Sequence, residues 1–346
     1  MVSVEAKDYI LKMGHQMFSA WPEDCFLSSI LTAKKGAEQW LADTYIQICA
    51  YKDVSYHGLR INFFPSGKHH FWINSFDYCP FLRKYSFDND VLLDCFGTFA
   101  AMAKYSLSKG YYVSTLLNQT FRERTKLYLH PAYFYGYKQR TDSFLLVDSF
   151  EDGKFLKKEV PSELIEKAMN EANNSFASAL SRTTYMYKIK DYLYVPDYVD
   201  LANRINDYLD GVDSTHYKGK GYDNKIYGIE CYKLMLEYLE YIRSTEAILD
   251  LKSFVFIEDC QRLACMRIHG LANAEVITEN IDKILYLNKQ AEYACEQAKN
   301  LAMKYNVRMN KAILNSISDN IVYVIKCDMQ YNDMILTQMK NKNFCG

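Results

Sequence analysis

The first half of the chain mixes two spacings of hydrophobic residues. Between residues 25 and 50, Trp40, Leu41, Tyr45 and Ile48 lie at helical spacing. A second helical pattern covers residues 90–109. Shorter apolar runs predict β-strands at residues 59–64, 71–73, 111–117, 129–137 and 143–150. Helices and strands interleaved in this way predict an α+β domain.

Two of the predicted strands form a hairpin. The run 132–135 ends at Gly136, and the run 143–147 leads to Asp148, with the polar turn 138–142 between them. His130 opens the first strand. In an antiparallel hairpin the start of one strand lies beside the end of the other. The pattern therefore predicts that His130 lies next to Asp148.

The second half of the chain reads differently. Long helical patterns without a proline follow one another, at residues 228–249, 251–269, 273–305 and 307–341. They predict a helical bundle, whose apolar stripes form its core. We divide the chain into a first domain over residues 1–190 and a mainly helical domain over residues 191–346.

Cys25 stands at the start of a predicted helix over residues 26–33. Pro22, Glu23 and Asp24 precede it, and proline and acidic residues are common in the entry turn of a helix. The positive end of the helix dipole favours the thiolate form of a cysteine placed there. A thiolate, an imidazole that moves protons and a carboxylate that orients the imidazole make up a nucleophilic triad. Each residue alone is typical of packing, but their combination predicts Cys25, His130 and Asp148 as catalytic residues.

Composition narrows the function classes. The chain carries 41 Lys and Arg against 42 Asp and Glu, so overall charge gives no reason to expect a nucleic-acid partner. Its ten cysteines show no pair at zinc-finger spacing, and the adjacent His69 and His70 point to opposite sides of a strand, so no metal site is expected. The start of the chain lacks the pattern of a signal peptide, and no apolar stretch is long enough to span a bilayer. We therefore expect a cytoplasmic protein with free thiols and without a membrane partner.

The hairpin also resembles that of a known family. His130, Gly136 and Tyr137, followed by residues 144–150 and 153–155, resemble the catalytic hairpin of bacterial papain-fold enzymes related to double-glycine leader peptidases. They are more similar still to the butirosin-type acyltransferases, and residues 108–117 resemble the strand that precedes the hairpin there. The resemblance covers residues 15–165. It implies a papain-like cysteine-protease fold followed by a helical bundle region.

The resemblance also implies a reaction. Such acyltransferases take an acyl group from the phosphopantetheine thioester of a carrier protein and pass it to an amine. For this chain the resemblance implies a Cys25 acyl-enzyme, a small amine such as a diamine as acceptor, and a role in nonribosomal natural-product biosynthesis. No cofactor is expected to be bound, because the carrier protein presents the substrate on its own phosphopantetheine.

The sequence departs from the family around the cysteine. Leader peptidases have glycine after the cysteine and butirosin-type enzymes have histidine before it, whereas this chain has Asp24 and Phe26. Leader peptidases also place an oxyanion-hole glutamine about six residues before the cysteine, where this chain has Ser19; its nearest glutamine is Gln16. Either Gln16 reaches the oxyanion through a longer loop, or backbone N–H groups at Cys25 act with another donor.

Basic residues supply a candidate docking surface for the carrier protein. Carrier proteins are usually acidic, and the cluster of Arg122, Arg124 and Lys126 precedes the His130 strand. Further basic residues lie near the site in sequence; they are Lys34, Lys35, Lys138, Arg140, Lys154, Lys157 and Lys158.

Two other functions remain open at this point. A cysteine peptidase or amidase of the same fold would cleave peptides without a carrier protein, and the missing glutamine counts against it. A binding protein with a decayed catalytic domain would keep Cys25 and His130 far apart.

Overall fold

The computed structural model describes residues 7–64, 76, 79–118, 129–149, 155–173, 182–214, 224–342 and 344. Over these residues the chain is an α+β protein with a helical C-terminal region. The strands are β1 (Tyr9–Ile10), β2 (Ile48–Tyr51), β3 (Ile61–Phe63), β4 (Leu82–Asp88), β5 (Tyr112–Asn118), β6 (Leu129–Lys138), β7 (Ser143–Ser149), β8 (Phe155–Pro161), β9 (Thr183–Ile189) and β10 (Lys225–Tyr227). The helices are α1 (Pro22–Leu31), α2 (Ala37–Thr44), α3 (Val54–His57), α4 (Asn89–Phe96), α5 (Phe99–Ser108), α6 (Ser162–Asn173), α7 (Tyr198–Asp210), α8 (Glu230–Thr245), α9 (Lys252–Asn273), α10 (Ile281–Arg308) and α11 (Lys311–Asn341).

The chain forms two compact units. Unit 1 contains residues 1–17, 22–35 and 74–193, and unit 2 contains residues 18–21, 36–73 and 194–346. The boundary drawn from the sequence, after residue 190, lies three residues before the end of unit 1. Residues 36–73, which the sequence groups with the first domain, belong with the C-terminal helices in unit 2.

Unit 1 is built on an antiparallel sheet. Its strands follow the order β4-β9-β5-β6-β7-β8, and β1 pairs with the far end of β6. The hairpin of β6 and β7 forms as the sequence predicts, with Tyr133 opposite Val147 and Lys138 opposite Ser143. A register shift between Phe134 and Gly136 interrupts the ladder.

Helices cover the two faces of this sheet. Phe134 of β6 packs with Phe99 of α5, and a buried cluster on that face also includes Leu146 and residues of α6. The neighbouring residue Tyr133 stacks on Phe26 of α1. Because successive side chains of a strand point to opposite faces, α1 lies on one face of the sheet and α5 on the other.

Unit 2 is mainly helical. Its helices α8 to α11 contain the buried apolar stripes that the sequence predicts, and α10 packs along both α9 and α11. A small sheet of order β10-β2-β3 accompanies them. No helix among the described residues combines the length and apolar character needed to cross a membrane.

Several local predictions need correction. Tyr45 follows the end of α2 and Ile48 begins β2, so the helical spacing of the predicted segment ends earlier. Residues 90–109 form two helices, because Gly97 adopts a φ of +75° and the Thr98 hydroxyl caps the second helix by accepting from Ala101 N. The sequence pattern does not reveal strands β1, β4, β8, β9 and β10 or helices α3 and α7. Residues 71–73 lie outside the described residues.

Candidate active site

Cys25 lies in the first turn of α1 and is 1% exposed. The helix begins at Pro22, three residues before Cys25, rather than after it as predicted. The Ser28 and Ser29 hydroxyls both donate to the Cys25 carbonyl, at 3.0 and 2.7 Å. The backbone around the thiol is therefore held at the positive end of the helix dipole.

Gln16 reaches the sulfur of Cys25. Its Nε2 lies 3.3 Å from Cys25 Sγ and donates to it. The chain arrives there along β6: β1 pairs with Tyr137 and Gly136, and Leu11 N then donates to Tyr135 O, so the chain runs toward the His130 end of that strand. The structure thus places Gln16 beside the sulfur, whereas its contact with an oxyanion stays a prediction.

His130 and Asp148 form a close pair at the open end of the hairpin. His130 Nδ1 lies 3.0 Å from Asp148 Oδ1, and the His130 side chain is 19% exposed whereas that of Asp148 is fully buried. The carbonyl oxygen of Pro131 is 3.1 Å from the same nitrogen. Both neighbours of Nδ1 are acceptors, which fixes the proton of a neutral imidazole on Nδ1 and the lone pair on Nε2.

An aromatic stack joins α1 to β6. The Phe26 and Tyr133 rings are stacked with centroids 4.6 Å apart, and both side chains are buried. Burial raises the pKa of Tyr133 well above its usual range, and the charges of Glu23, Asp148 and Asp24 raise it further. The Tyr133 phenol is therefore neutral, and it feels charges from the first turn of α1 and from the end of β7. The sequence alone does not reveal this stack, because an aromatic residue in a strand is typical of a core.

Burial affects the thiols of five other described cysteines. Burial raises the pKa of Cys49 and of Cys79 to about 12, and raises the pKa of Cys231, Cys260 and Cys295 well above the usual range. Such thiols stay protonated and act as small apolar side chains.

The expected basic surface is only partly described. Arg122, Arg124 and Lys126 lie outside the described residues, as does the His69 and His70 pair. Lys34 is paired with Asp191 at 2.8 Å, and Lys138 is paired with Glu159 at 2.5 Å. Two of the lysines that we expected to attract an acidic carrier protein are thus already paired with carboxylates of this chain.

No family model matches the chain, and no curated protein matches it. Within the described ranges, no group of three or more His, Cys, Asp or Glu side chains is placed to hold a metal ion. The candidate site therefore consists of two close pairs, Gln16 with Cys25 and His130 with Asp148.

These two pairs carry the elements of acyl-transfer chemistry. One holds a thiol sulfur beside an amide N–H donor. The other holds an imidazole whose proton and lone pair are assigned by a buried carboxylate. Helix α1 packs against both strands of the hairpin. All four residues of the two pairs belong to unit 1.

Proposed function

We propose that this protein is a thiol acyltransferase of papain-like fold that forms amides. It moves an acyl chain from a carrier-protein phosphopantetheine thioester, through a Cys25 acyl-enzyme, to a small amine in nonribosomal natural-product biosynthesis. The observation that carries the proposal is the Gln16 N–H donor on Cys25 Sγ, in the same unit as the pair of His130 with the buried Asp148 carboxylate. An amide donor aimed at a helix-start sulfur has a direct use in stabilising thiolate and oxyanion.

The first half-reaction loads the enzyme. His130 Nε2 takes the Cys25 proton, and the thiolate attacks the donor thioester carbonyl. A new carbon–sulfur bond to Cys25 forms and the bond to the donor sulfur breaks. The leaving phosphopantetheine thiolate takes the proton from His130. Asp148 stabilises the imidazolium that exists between these two transfers.

The second half-reaction unloads it. The acceptor amine attacks the Cys25 thioester and gives one proton to His130, so that a carbon–nitrogen bond forms and the bond to Cys25 breaks. His130 returns the proton to the Cys25 sulfur. The net change is a thioester and an amine converted into an amide and a thiol. In both halves the carbonyl oxygen becomes negative, and Gln16 Nε2 donates to it.

The burial of Cys25 favours a substrate that is carried at the end of a long, flexible chain. A sulfur within a 1% exposed residue is reached by a thin, extended chain and not by a folded surface. The phosphopantetheine of a carrier protein is such a chain. Exclusion of water from the same sulfur protects an acyl-enzyme from hydrolysis until the amine arrives.

A cysteine peptidase or amidase is the second candidate. The lack of a glutamine at the usual spacing counts against it in the sequence, but Gln16 occupies the position beside Cys25 Sγ. An amide donor at this position suits hydrolysis of a peptide as well as acyl transfer. The two candidates therefore differ in substrate and in acceptor, and not in the nucleophile.

The proposed triad makes a geometric demand. By strand alternation His130 shares a sheet face with Phe134, the face that α5 covers, whereas α1 lies on the other face. Cys25 and His130 must therefore meet around the end of the sheet, where β6 begins. Treatment with 1,3-dibromoacetone, a short bifunctional alkylating reagent, tests this directly: we expect mass spectrometry to find a Cys25–His130 crosslink. Alkylation of Cys25 without any crosslink would contradict the triad.

Loading of the acyl group tests the function. The protein is mixed with octanoyl thioesters of N-acetylcysteamine and of a purified acyl carrier protein, and intact mass is measured. We expect an adduct of one octanoyl group, faster from the carrier protein, that a small diamine removes as the amide. Cys25→Ser must abolish the thioester adduct, while Cys95→Ser, which changes an exposed thiol, must not. Cleavage of unlinked peptides without loading from either thioester would select the peptidase instead.

A further inference from the structure

The stretch of sequence between Gln16 and Cys25 includes four residues, 18–21, that belong to unit 2. The segment 18–21 joins Met17, which directly follows Gln16, to Pro22, the first residue of α1. Gln16 and Cys25 therefore stand on the two sides of one short connection. Gln16 is held on its N-terminal side by Gly14 N, which donates to Ser29 O of α1 at 2.6 Å, and on its C-terminal side by this connection.

The two backbone N–H groups in the middle of the segment 18–21 are held by one carboxylate. Ser19 N and Ala20 N donate to the same carboxylate oxygen, Asp259 Oδ2 of α9, at 2.7 and 3.1 Å. The guanidinium of Arg262, one helical turn later, donates to the other oxygen of Asp259 and to Ser19 Oγ, the latter at 3.1 Å. A fully buried carboxylate with three donors is a rigid anchor, because leaving any of these groups unpaired is costly.

The two ends of the segment are fixed by their side chains. Phe18 is buried and its ring centroid lies 5.0 Å from that of Tyr45 and 5.3 Å from that of Phe63. Trp21 Nε1 donates to Ile61 O at 3.2 Å. The residue before the segment is also fixed, since Met17 N donates to Ser28 Oγ of α1 at 3.1 Å.

We propose that Asp259 is a positioning residue for the Cys25 site: it anchors the segment 18–21 and thereby keeps Gln16 on the Cys25 sulfur. This inference rests on the proposed function only for its consequence in catalysis. The arrangement itself acts on the thiol, because a donor to the sulfur stabilises the thiolate and lowers the thiol pKa. When the anchor is lost, Gln16 moves away and the thiol pKa rises.

The test measures the thiol and not the acyl transfer. The full-length protein is alkylated with iodoacetamide from pH 5 to pH 10, and modification of Cys25 is followed by peptide mass spectrometry. We expect Gln16→Ala and Asp259→Ala to raise the midpoint of the profile equally and to slow alkylation at pH 7 by about three- to ten-fold, the range for the net contribution of one typical hydrogen bond. The double variant should show no further shift, because both changes remove the same contact.

The controls separate positioning from general destabilisation. Asp328→Asn weakens another buried carboxylate of unit 2, bonded to Tyr208 and Gln261, and should lower stability without moving the Cys25 profile. Should Asp259→Ala fail to fold, Arg262→Ala removes only the half-exposed guanidinium and should shift the profile in the same direction by less. Unchanged profiles in the folded anchor variants, or additive shifts in the double variant, would overturn the proposal. Failure of octanoyl loading with intact shifts would instead reject the proposed function alone.

Discussion

His130 Nδ1 lies 3.0 Å from Asp148 Oδ1, although a whole hairpin separates the two residues in sequence. The register of β6 and β7 creates this pair, because it brings the start of one strand beside the end of the other. The Asp148 carboxylate is fully buried, so its charge is little screened by water. The pair thus fixes the imidazole tautomer that a general base requires.

Replacement of Asp148 tests the role of this pair. Asp148→Asn keeps the shape but offers an amide N–H to the imidazole, which favours the wrong tautomer. For the proposed function we expect the rate of acyl transfer to fall by about 10²- to 10⁴-fold, as in known nucleophile–histidine–acid sites. Thioester turnover measures the rate, and nitrogen NMR of labelled histidine reports the tautomer.

Asp142 in the turn of the same hairpin is a matched control. Asp142→Asn also removes one carboxylate, but from a site bonded to Lys104, Tyr137 and Ser162. Acyl transfer should stay within about two-fold of the wild-type rate, a change below about 0.5 kcal/mol. Equal losses in the two variants would show that the hairpin tolerates no carboxylate change, and would remove the case for Asp148.

The hairpin turn should lose stability in acid. Hydrogen bonds from Lys104, Tyr137 and Ser162 lower the pKa of Asp142 from 3.8 to about 2. A carboxylate whose pKa is lowered by folding stabilises the protein above pH 4, and this contribution is lost as the pH falls toward 2. Because the Asp142 side chain is largely exposed, we expect less than about 1 kcal/mol. Urea denaturation between pH 2 and 5 should show a smaller acid loss in Asp142→Asn than in the wild type.

Asp259 should have the opposite pH dependence. Burial raises the pKa of Asp259 to about 6, against the lowering by Arg262 and by the N–H groups of Ser19 and Ala20. The folded protein then binds a proton between pH 4 and 6 that the unfolded chain does not, so stability falls as the pH rises through this window. The shift of the pKa from 3.8 to about 6 corresponds to a loss of about 3 kcal/mol in unfolding free energy across this window.

Denaturation of two variants checks this sign. The difference in unfolding free energy between wild type and Asp259→Asn should change between pH 4 and 6 and be constant above pH 7. Glu292, whose pKa is also raised by burial, lies within the electrostatic reach of Arg262, so Glu292→Gln serves as the control. A window that disappears in Glu292→Gln and persists in Asp259→Asn would reassign the titration to Glu292.

The stack of Phe26 on Tyr133 should contribute to the docking of α1. Phe26→Ala removes a fully buried ring and should cost about 3–5 kcal/mol in unfolding free energy. In a double-mutant cycle with leucine at both positions, we expect a coupling of about 0.5–1.5 kcal/mol. Tyr133 combined with Phe99, which packs on the opposite sheet face, should give additive effects. Chemical denaturation of the four variants in each cycle supplies these values.

The local pattern of residues was enough for several parts of this protein. The hairpin follows from two apolar runs around a polar turn, and the long helices α8 to α11 follow from apolar stripes over many turns without proline. The closeness of His130 and Asp148 needed only the hairpin, because its register is set within a short stretch of chain. These features depend on neighbours in sequence, which a single sequence displays.

Contacts between residues far apart in sequence determined the other features of the fold and of the candidate site. Strands β4 and β9 pair with each other although they stand near opposite ends of the long segment 74–193 of unit 1. In neither strand do polar and apolar residues alternate clearly enough to predict a strand from the sequence. Gln16 reaches Cys25 because the chain first pairs with β6 and then turns, and Asp259 holds the segment 18–21 from a helix more than two hundred residues later. Such contacts gain their free energy only when both partners are in place, so no local stretch of sequence carries the signal for them.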